Sequence, residues 1–276
     1  MRAWDSPAKA ASRFFSVCVP AYLLIIVTSK NIFFVIISLL DKNFNIKFKD
    51  VLYGDITSPR LKGVSFKLNC NSINSITGAV GSGKSGVVDL LLKLNSQHKG
   101  NITVGGIEIS NIDFDYYYGL VSSIDKNDRF LNISIKDNLS IVNDHFEEMV
   151  YICKKLDIHD EISQLKFGYD TILNSNEDKL KANTKILLNI ARILLKNTKI
   201  MIFDEILSSL SKESREVVLE KLNIIKEKHT IIIIDRKEDV LQMSDNIVLL
   251  DEGEVVQEGT YEELSTNKEF KKIIEK

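Results

Sequence analysis

The run GAVGSGKS, Gly78 to Ser85, constrains this 276-residue chain more than any other stretch. A β-rich segment, Ser72–Thr77, leads into it, and a helical one, Gly86–Leu94, follows. A strand, a glycine-rich turn ending in Gly-Lys-Ser and a helix make the setting of a phosphate-binding loop. Gly78, Gly81 and Gly83 let the backbone turn and bring its N–H groups to phosphate oxygens with no Cβ in the way. Ala79, Val80 and Ser82 lie between them in the same cradle. Lys84 offers a cation to the β- and γ-phosphates, the Ser85 hydroxyl is a ligand for Mg²⁺, and the helix N-terminus favours the anion.

A second motif makes the first specific. In KIMIFDE, Lys199–Glu205, an apolar run of the kind that forms a buried parallel strand ends in two carboxylates. Asp204 is placed to hold the Mg²⁺ shell, and Glu205 to orient or deprotonate an attacking water. Strand-end acidic pairs alone are common as solvated turn residues. With a phosphate loop upstream they point to ATP-Mg²⁺. The four-isoleucine run Ile231–Ile234 reads as a further buried parallel strand, too short to span a bilayer.

Composition limits the partners. A hydrophobic content of 44% with 27% charged residues supports a buried core, and a net charge of −2 gives no basic face for nucleic acid. Three scattered cysteines, Cys18, Cys70 and Cys153, read as reduced thiols rather than a disulfide framework.

The first 44 residues differ from the rest. A hydrophobic stretch runs from Phe14 to Leu40, and fourteen of the residues in Val19–Leu40 are Val, Ile, Leu or Phe. A spanning helix needs about 20 mostly apolar residues, and Lys30 falls at the depth where a charge is most unfavourable. Three readings follow: a single membrane helix, a segment lying on a membrane or on a partner's helices, and a cleaved signal peptide. One helix cannot enclose a translocation pathway, so any transport role requires other chains.

The order of features around the two motifs resembles the nucleotide-binding domain of exporter-type ABC transporters. GNITVGGIEISNID (Gly100–Asp113) is similar to the hairpin after the phosphate-loop helix, and FLNISIKDNL (Phe130–Leu139) to the segment that in exporters faces the membrane domain. FGYDTIL (Phe167–Leu173), LLNIARILLKNTKIMIFDE (Leu187–Glu205) and SDNIVLLDEGEVVQEGTYEEL (Ser244–Leu264) continue the pattern. The resemblance covers roughly residues 45–270. It implies an α/β fold: a P-loop NTPase core with a mostly parallel sheet, an antiparallel β subdomain and a helical subdomain at about 135–195. A hydrophobic N-terminal helix in residues 1–44 would precede the nucleotide-binding domain of residues 45–276. It also implies a membrane domain on another chain, and a homo- or heterodimer with a second nucleotide-binding domain. The chain would then act at the cytoplasmic face of a membrane as an ATPase coupled to transport.

Several positions depart from the family. LSGGQ aligns with Leu180–Thr184, LKANT, placing Lys181 for the serine and Ala182 and Asn183 for the glycines. The Q-loop glutamine aligns with Lys126, or with Ser123 if shifted. The switch histidine falls at Arg236, or at Asp235 if displaced by one. The D-loop aspartate becomes Ser211, and the adenine-stacking aromatic falls at Asp55, with Tyr53 the nearest aromatic. Lysine has only donors, and arginine cannot exchange a proton near neutral pH. These changes leave Glu205 with Lys126 and Arg236 as an altered catalytic set. Binding is expected to survive, with slow or absent turnover in a homodimer. The alternative is a catalytically impaired domain with a regulatory or structural role in a heterodimer.

Overall fold

The computed structural model describes residues 43–55, 57–95 and 97–274, with two short strands before them. Its central feature is a six-stranded sheet in the order β12-β11-β5-β10-β9-β8. Here β5 is Ser72–Gly78, β8 Val121–Asp125, β9 Ile200–Asp204, β10 Thr230–Ile234, β11 Asn246–Asp251 and β12 Glu254–Gly259. All neighbours are parallel except β12, which closes one edge antiparallel to β11. The central strands are continuous apolar runs because both faces of the sheet are covered. Alternate residues serve opposite faces: Met201 and Phe203 of β9 join one core with Ile231 and Ile233 of β10, whereas Ile200, Ile202, Ile232 and Ile234 join the other. Each such fully buried side chain contributes about 1.5–3 kcal/mol of transfer free energy.

A four-stranded antiparallel sheet, ordered β4-β3-β6-β7, covers the second of these cores. Its strands are β3 Ile46–Asp55, β4 Ser58–Leu68, β6 His98–Val104 and β7 Ile107–Glu108. Strand β3 carries a register shift between Phe48 and Val51, where Asp50 takes φ +52°. That irregularity changes the inward phase from Ile46 and Phe48 to Val51 and Tyr53.

Helices α1 (Lys84–Leu91) and α2 (Phe114–Leu120) lie between β5 and β8. Tyr117 of α2 is buried and donates its hydroxyl to Leu91 O at 2.6 Å, so the Tyr116–Tyr118 trio anchors α2 to the end of α1. Four helices separate β8 from β9: α3 (Ile135–Ser140), α4 (Phe146–Lys155), α5 (His159–Ser163) and α6 (Ala182–Lys196). They pack around Leu139, Met149, Ile162, Leu187 and Ile190 on the first core. Helix α7 (Lys212–Ile225) joins β9 to β10, and α8 (Glu238–Met243) joins β10 to β11. The charged C-terminal stretch forms two short helices, α9 (Tyr261–Leu264) and α10 (Lys268–Ile274). Leu264 and Phe270 are fully buried beneath them.

The N-terminal hydrophobic helix is not supported. Where residues 14–40 are described they form an antiparallel ribbon, β1 (Ile26–Thr28) with β2 (Asn31–Phe33), pairing Thr28 with Asn31. β-Branched and aromatic residues on either side of a polar break favour this pairing over a continuous helix. The remaining residues of 1–42 lie outside the described residues. Among the described residues no helix is long and apolar enough to cross a membrane.

Candidate functional site

Parallel strands β5, β10, β9 and β8 end at one rim, and register sets Asp125, Asp204, Ile234 and Ile76 side by side across it. Open α/β sheets bind ligands at such carboxyl ends. The loop Gly78–Ser85 leaves β5 here and turns into α1. Gly78 has φ +153°, and a Cβ on it would lie 2.1 Å from Leu250 O and 2.5 Å from Ser82 Oγ. Gly83 takes φ +104° at the start of α1, with the Arg60 carbonyl 2.7 Å from where its Cβ would be. The outer side of the loop is braced by Gly253 N to Ser82 O at 3.1 Å and Lys62 N to Gly253 O at 2.8 Å. Ala79, Val80, Gly81 and Ser85 face solvent, whereas Ser82 and Lys84 are buried. The wall is therefore fixed and the mouth is open.

Lys84 folds back into the loop. Its ammonium donates to Gly78 O at 2.8 Å, Ala79 O at 2.7 Å and Ser82 Oγ at 3.3 Å. Burial pulls its pKa below the usual lysine range, against the fields of Glu205 and Asp204. A buried ammonium resting on its own loop carbonyls is a cation ready for an anionic ligand in the mouth.

Asp204 ends β9. Burial, with Glu205 and Asp125 adding like charge, pushes its carboxyl up to about 6. Among the described residues it makes no ion pair within 4 Å, so its negative charge is under-compensated. That environment fits a cation beside the Asp204 carboxylate. No group of three or more His, Cys, Asp or Glu side chains is gathered for a metal among the described residues.

Glu205 follows with φ +51°, its N–H bonded to Ile234 O at 3.0 Å. Its carboxylate is taken by Lys126, Nζ to Oε2 at 2.5 Å. The bond from Lys126 holds the Glu205 pKa below the usual carboxylate range, with Lys84 and Arg236 adding to the effect. Of the two residues weighed for the glutamine position, Lys126 reaches Glu205. Of the two weighed for the histidine position, Arg236 is exposed and its charge is felt at both Lys84 and Glu205. Asp235 turns inward at 2% exposure, its Oδ1 accepting from Arg236 N at 2.7 Å and Lys237 N at 2.9 Å. Lys84, Lys126, Asp204, Glu205 and Arg236 thus share one electrostatic neighbourhood.

Other expected residues lie apart from it. Tyr53 is buried against Gly86, and its hydroxyl donates to Asp89 at 3.2 Å, so its ring presents no free face. Leu180–Thr184 form the entry to α6 and bond to α5 and α7. Ser211 caps α7, its hydroxyl accepting from Ser214 N at 3.3 Å. Two residues were not singled out in the sequence. Asp125 reaches the rim only through the pairing of β8 with β9, and Glu161 reaches α6 only through the packing of α5. An acid closing the run VSSID was a signal for the first; the second left none.

Against known proteins, a family model described as ABC transporter matches residues 61–208. The ABC transporter B family member 1 of Dictyostelium discoideum is 30% identical over 227 residues, 80% of this chain and 25% of that protein. The alpha-hemolysin translocation ATP-binding protein HlyB of Escherichia coli O6:H1 is 29% identical over 237 residues, 84% of this chain and 34% of its own length. A solved bacterial Atm1-family ABC exporter with ATP bound aligns at a TM-score of 0.79 and 25% identity, over 92% of this chain and 43% of that one. The chain therefore spans less than half the length of these relatives. With the phosphate loop at the strand ends and the family match across more than half its residues, the chain belongs to the ABC transporter family and carries a nucleotide-binding domain of the exporter type.

Proposed function

We propose that this chain is the ATP-binding component of an ABC exporter, with residues 45–276 as the nucleotide-binding domain. The backbone amides of Gly78–Ser85 and the ammonium of Lys84 bind the polyphosphate. Ser85 and Asp204 would hold Mg²⁺, which screens phosphate charge when bound. One observation carries this reading: the Lys84 ammonium is held inside the loop by Gly78 O and Ala79 O, within the field of Asp204 and Glu205. The test is a titration of the folded chain with ATP-Mg²⁺. Binding at micromolar concentration is expected, and Lys84→Ala should weaken it by about 10²-fold, removal of charged hydrogen bonds costing roughly 3 kcal/mol. A folded chain that takes up no nucleotide sinks the proposal.

The acidity of Asp204 supplies a second check. Its carboxyl is raised from 3.8 to about 6, so between those values the native state holds more protons than the unfolded one. The contribution of this group to stability is present at low pH and is lost as pH rises through that window. A cation against the carboxylate reverses the balance. The Mg²⁺-dependent part of ATP affinity is expected to fall about tenfold between pH 8 and pH 5 as the carboxylate protonates. In Asp204→Asn that step disappears. Equal pH profiles for the two proteins would refute the assignment.

The likeness to a translocation ATP-binding protein and to an ABC exporter supports a membrane domain joined to this one, a second nucleotide-binding domain opposite it, and a position at the cytoplasmic face of a membrane. A cleft of about 220 Å³ is lined by Tyr118, Ser122, Asp128, Val142, Asn189 and Arg192, the last of which lies over the ring of Phe130. It offers a seat for a helix of that membrane domain, through which nucleotide-driven closure would be passed on. The exporter-like segment and this cleft together favour transport over a stand-alone role.

The Lys126–Glu205 pair favours a second reading, a hydrolytically impaired domain that uses nucleotide to stabilise a heterodimer. A general base works best with a pKa near the operating pH, and Lys126 moves Glu205 the other way. Phosphate release separates the readings. Glu205→Gln lowers it if the chain turns over ATP, and leaves it unchanged if the domain is impaired.

A further inference from the structure

The outer face of the four-stranded sheet is basic, although the chain carries a net charge of −2. Burial alternates along β3, so that Ile46 and Phe48 enter the core while Lys47 and Lys49 are exposed. After the irregularity at Asp50 the outward position passes to Leu52, which is 41% exposed. Register sorts the outward residues into rows. Lys47 is the cross-strand partner of Lys67 on β4 and of Thr103 on β6, and Lys49 is the partner of Asn101. Leu52 lies between Lys62 on β4 and Lys99 on β6. Five lysines from three strands thus share one face, with an exposed leucine among them.

Internal stability does not account for this arrangement. Like charges directly opposite in an antiparallel pair are destabilising, and Lys47 against Lys67 is such a pair. Among the described residues, none of the five ammonium groups lies within 4 Å of a carboxylate. The acids nearest in register are turned to other partners. Asp50 Oδ1 accepts from Ser65 Oγ at 3.2 Å, and Glu108 accepts from Asn101 Nδ2 and Ile102 N, both at 3.2 Å. Glu258, across the sheet edge, accepts from Asn246 Nδ2 at 3.2 Å.

The charge calls for an anionic partner, and the shape chooses among partners of that kind. A sheet surface with charges in rows suits a planar partner. None of these outward residues is aromatic, so the face offers no ring on which a nucleic-acid base could stack. In the chain, Lys42, Lys47 and Lys49 come within nine residues of the end of the apolar stretch Phe14–Leu40. Lysines clustered beside such a stretch bind anionic lipid, and Leu52 adds an apolar contact among the headgroups. We propose that this face docks on an anionic bilayer, its lysines against phospholipid headgroups, and gives the domain an electrostatic hold on the membrane.

The test is flotation of the full chain, without nucleotide, on vesicles of phosphatidylcholine and on vesicles of phosphatidylcholine mixed with anionic phosphatidylglycerol. At low ionic strength, binding to the anionic vesicles should exceed binding to the neutral ones by about 10³-fold, and salt should erase most of the excess. Lys47→Gln with Lys67→Gln should reduce the excess about 30-fold, each lysine near an anionic surface weighing about fivefold. Binding to neutral vesicles should not change in that variant, and loss of the like-charge pair should leave it at least as heat-stable. Lys212→Gln with Lys221→Gln, on α7 and so across the central sheet from this face, should keep the full excess. Equal binding to both kinds of vesicle, an unchanged excess in the Lys47–Lys67 variant, or an equal loss in the α7 variant overturns the proposal. So does tighter retention of a single-stranded oligonucleotide or of polyglutamate than of the anionic vesicles, which would give the face to another class of partner.

Discussion

Replacing Lys126 by glutamine is expected to raise phosphate release from ATP-Mg²⁺ by about 10²-fold, the scale on which a single preorganised group alters turnover. Lys126 Nζ lies 2.5 Å from Glu205 Oε2 and holds that carboxylate in its weakly basic form. A water that Glu205 would deprotonate must compete with the ammonium for the same oxygen. The pair is solvent-open, at 52% and 42% side-chain exposure, and exposed ion pairs contribute little to stability. Its effect is therefore on the availability of Glu205 and not on the fold. Glutamine removes the charge, restores a group with both donor and acceptor, and lets the Glu205 pKa rise toward its ordinary value. The control is Lys126→Gln with Glu205→Gln, in which the gain should vanish. A single variant with unchanged thermal stability and unchanged phosphate release would show that Lys126 does not limit turnover. The remaining departures at Lys181–Thr184, Ser211 and Arg236 would then carry the impairment.

The contrast between the phosphate loop and this ion pair marks what the chain made legible. The loop is local: eight consecutive residues fix the turn, and the strand and helix beside it are readable from Ser72–Thr77 and Gly86–Leu94. β9 and β10 were legible because continuous apolar runs such as IMIF and IIII have few other uses in a soluble α/β chain. Lys126 and Glu205 are 79 residues apart, and their contact depends on Asp125 pairing with Asp204 across two strands. No spacing rule reports that. The burial of Tyr53 was hidden for a related reason. The irregularity at Asp50 shifts the inward phase of β3, and a period-2 reading begun at Ile46 puts Tyr53 on the wrong face. Glu161 was invisible because its bonds to Lys181 N and Thr184 Oγ1 come from about 20 residues upstream, through the packing of α5 on α6. In the N-terminal segment, apolar content weighed against Lys30 left a membrane helix, a surface-lying segment and a signal peptide open, and no paired strands were among them. Content without a 3.6-residue pattern does not separate a helix from the pairing of Ile26–Thr28 with Asn31–Phe33.

Gly78→Ala is expected to destabilise the unliganded protein by about 4 kcal/mol or more, near the upper end for single substitutions. Two independent costs meet at this residue. Its φ of +153° is a conformation that L-residues adopt only under strain, at about 1–3 kcal/mol. The added methyl carbon would also lie 2.1 Å from the carbonyl oxygen of Leu250. A flexible side chain could swing aside, but this neighbour is backbone. Leu250 is the register partner of Gly78 at the end of β11, so relief requires β5 and β11 to part where both are buried. Overpacking of this kind typically costs a further 1–3 kcal/mol or more. Gly81→Ala separates loop from scaffold. Gly81 also has positive φ, at +84°, but no atom lies within 4 Å of where its Cβ would be. It should lose only the strain of about 1 kcal/mol and still weaken nucleotide binding by placing a methyl group in the cradle. Denaturant unfolding of the three proteins tests the pair. If Gly78→Ala unfolds within 1 kcal/mol of the unaltered chain, the loop is not clamped between β5 and β11. The rigid cradle on which the ATP assignment depends would then be an adaptable loop.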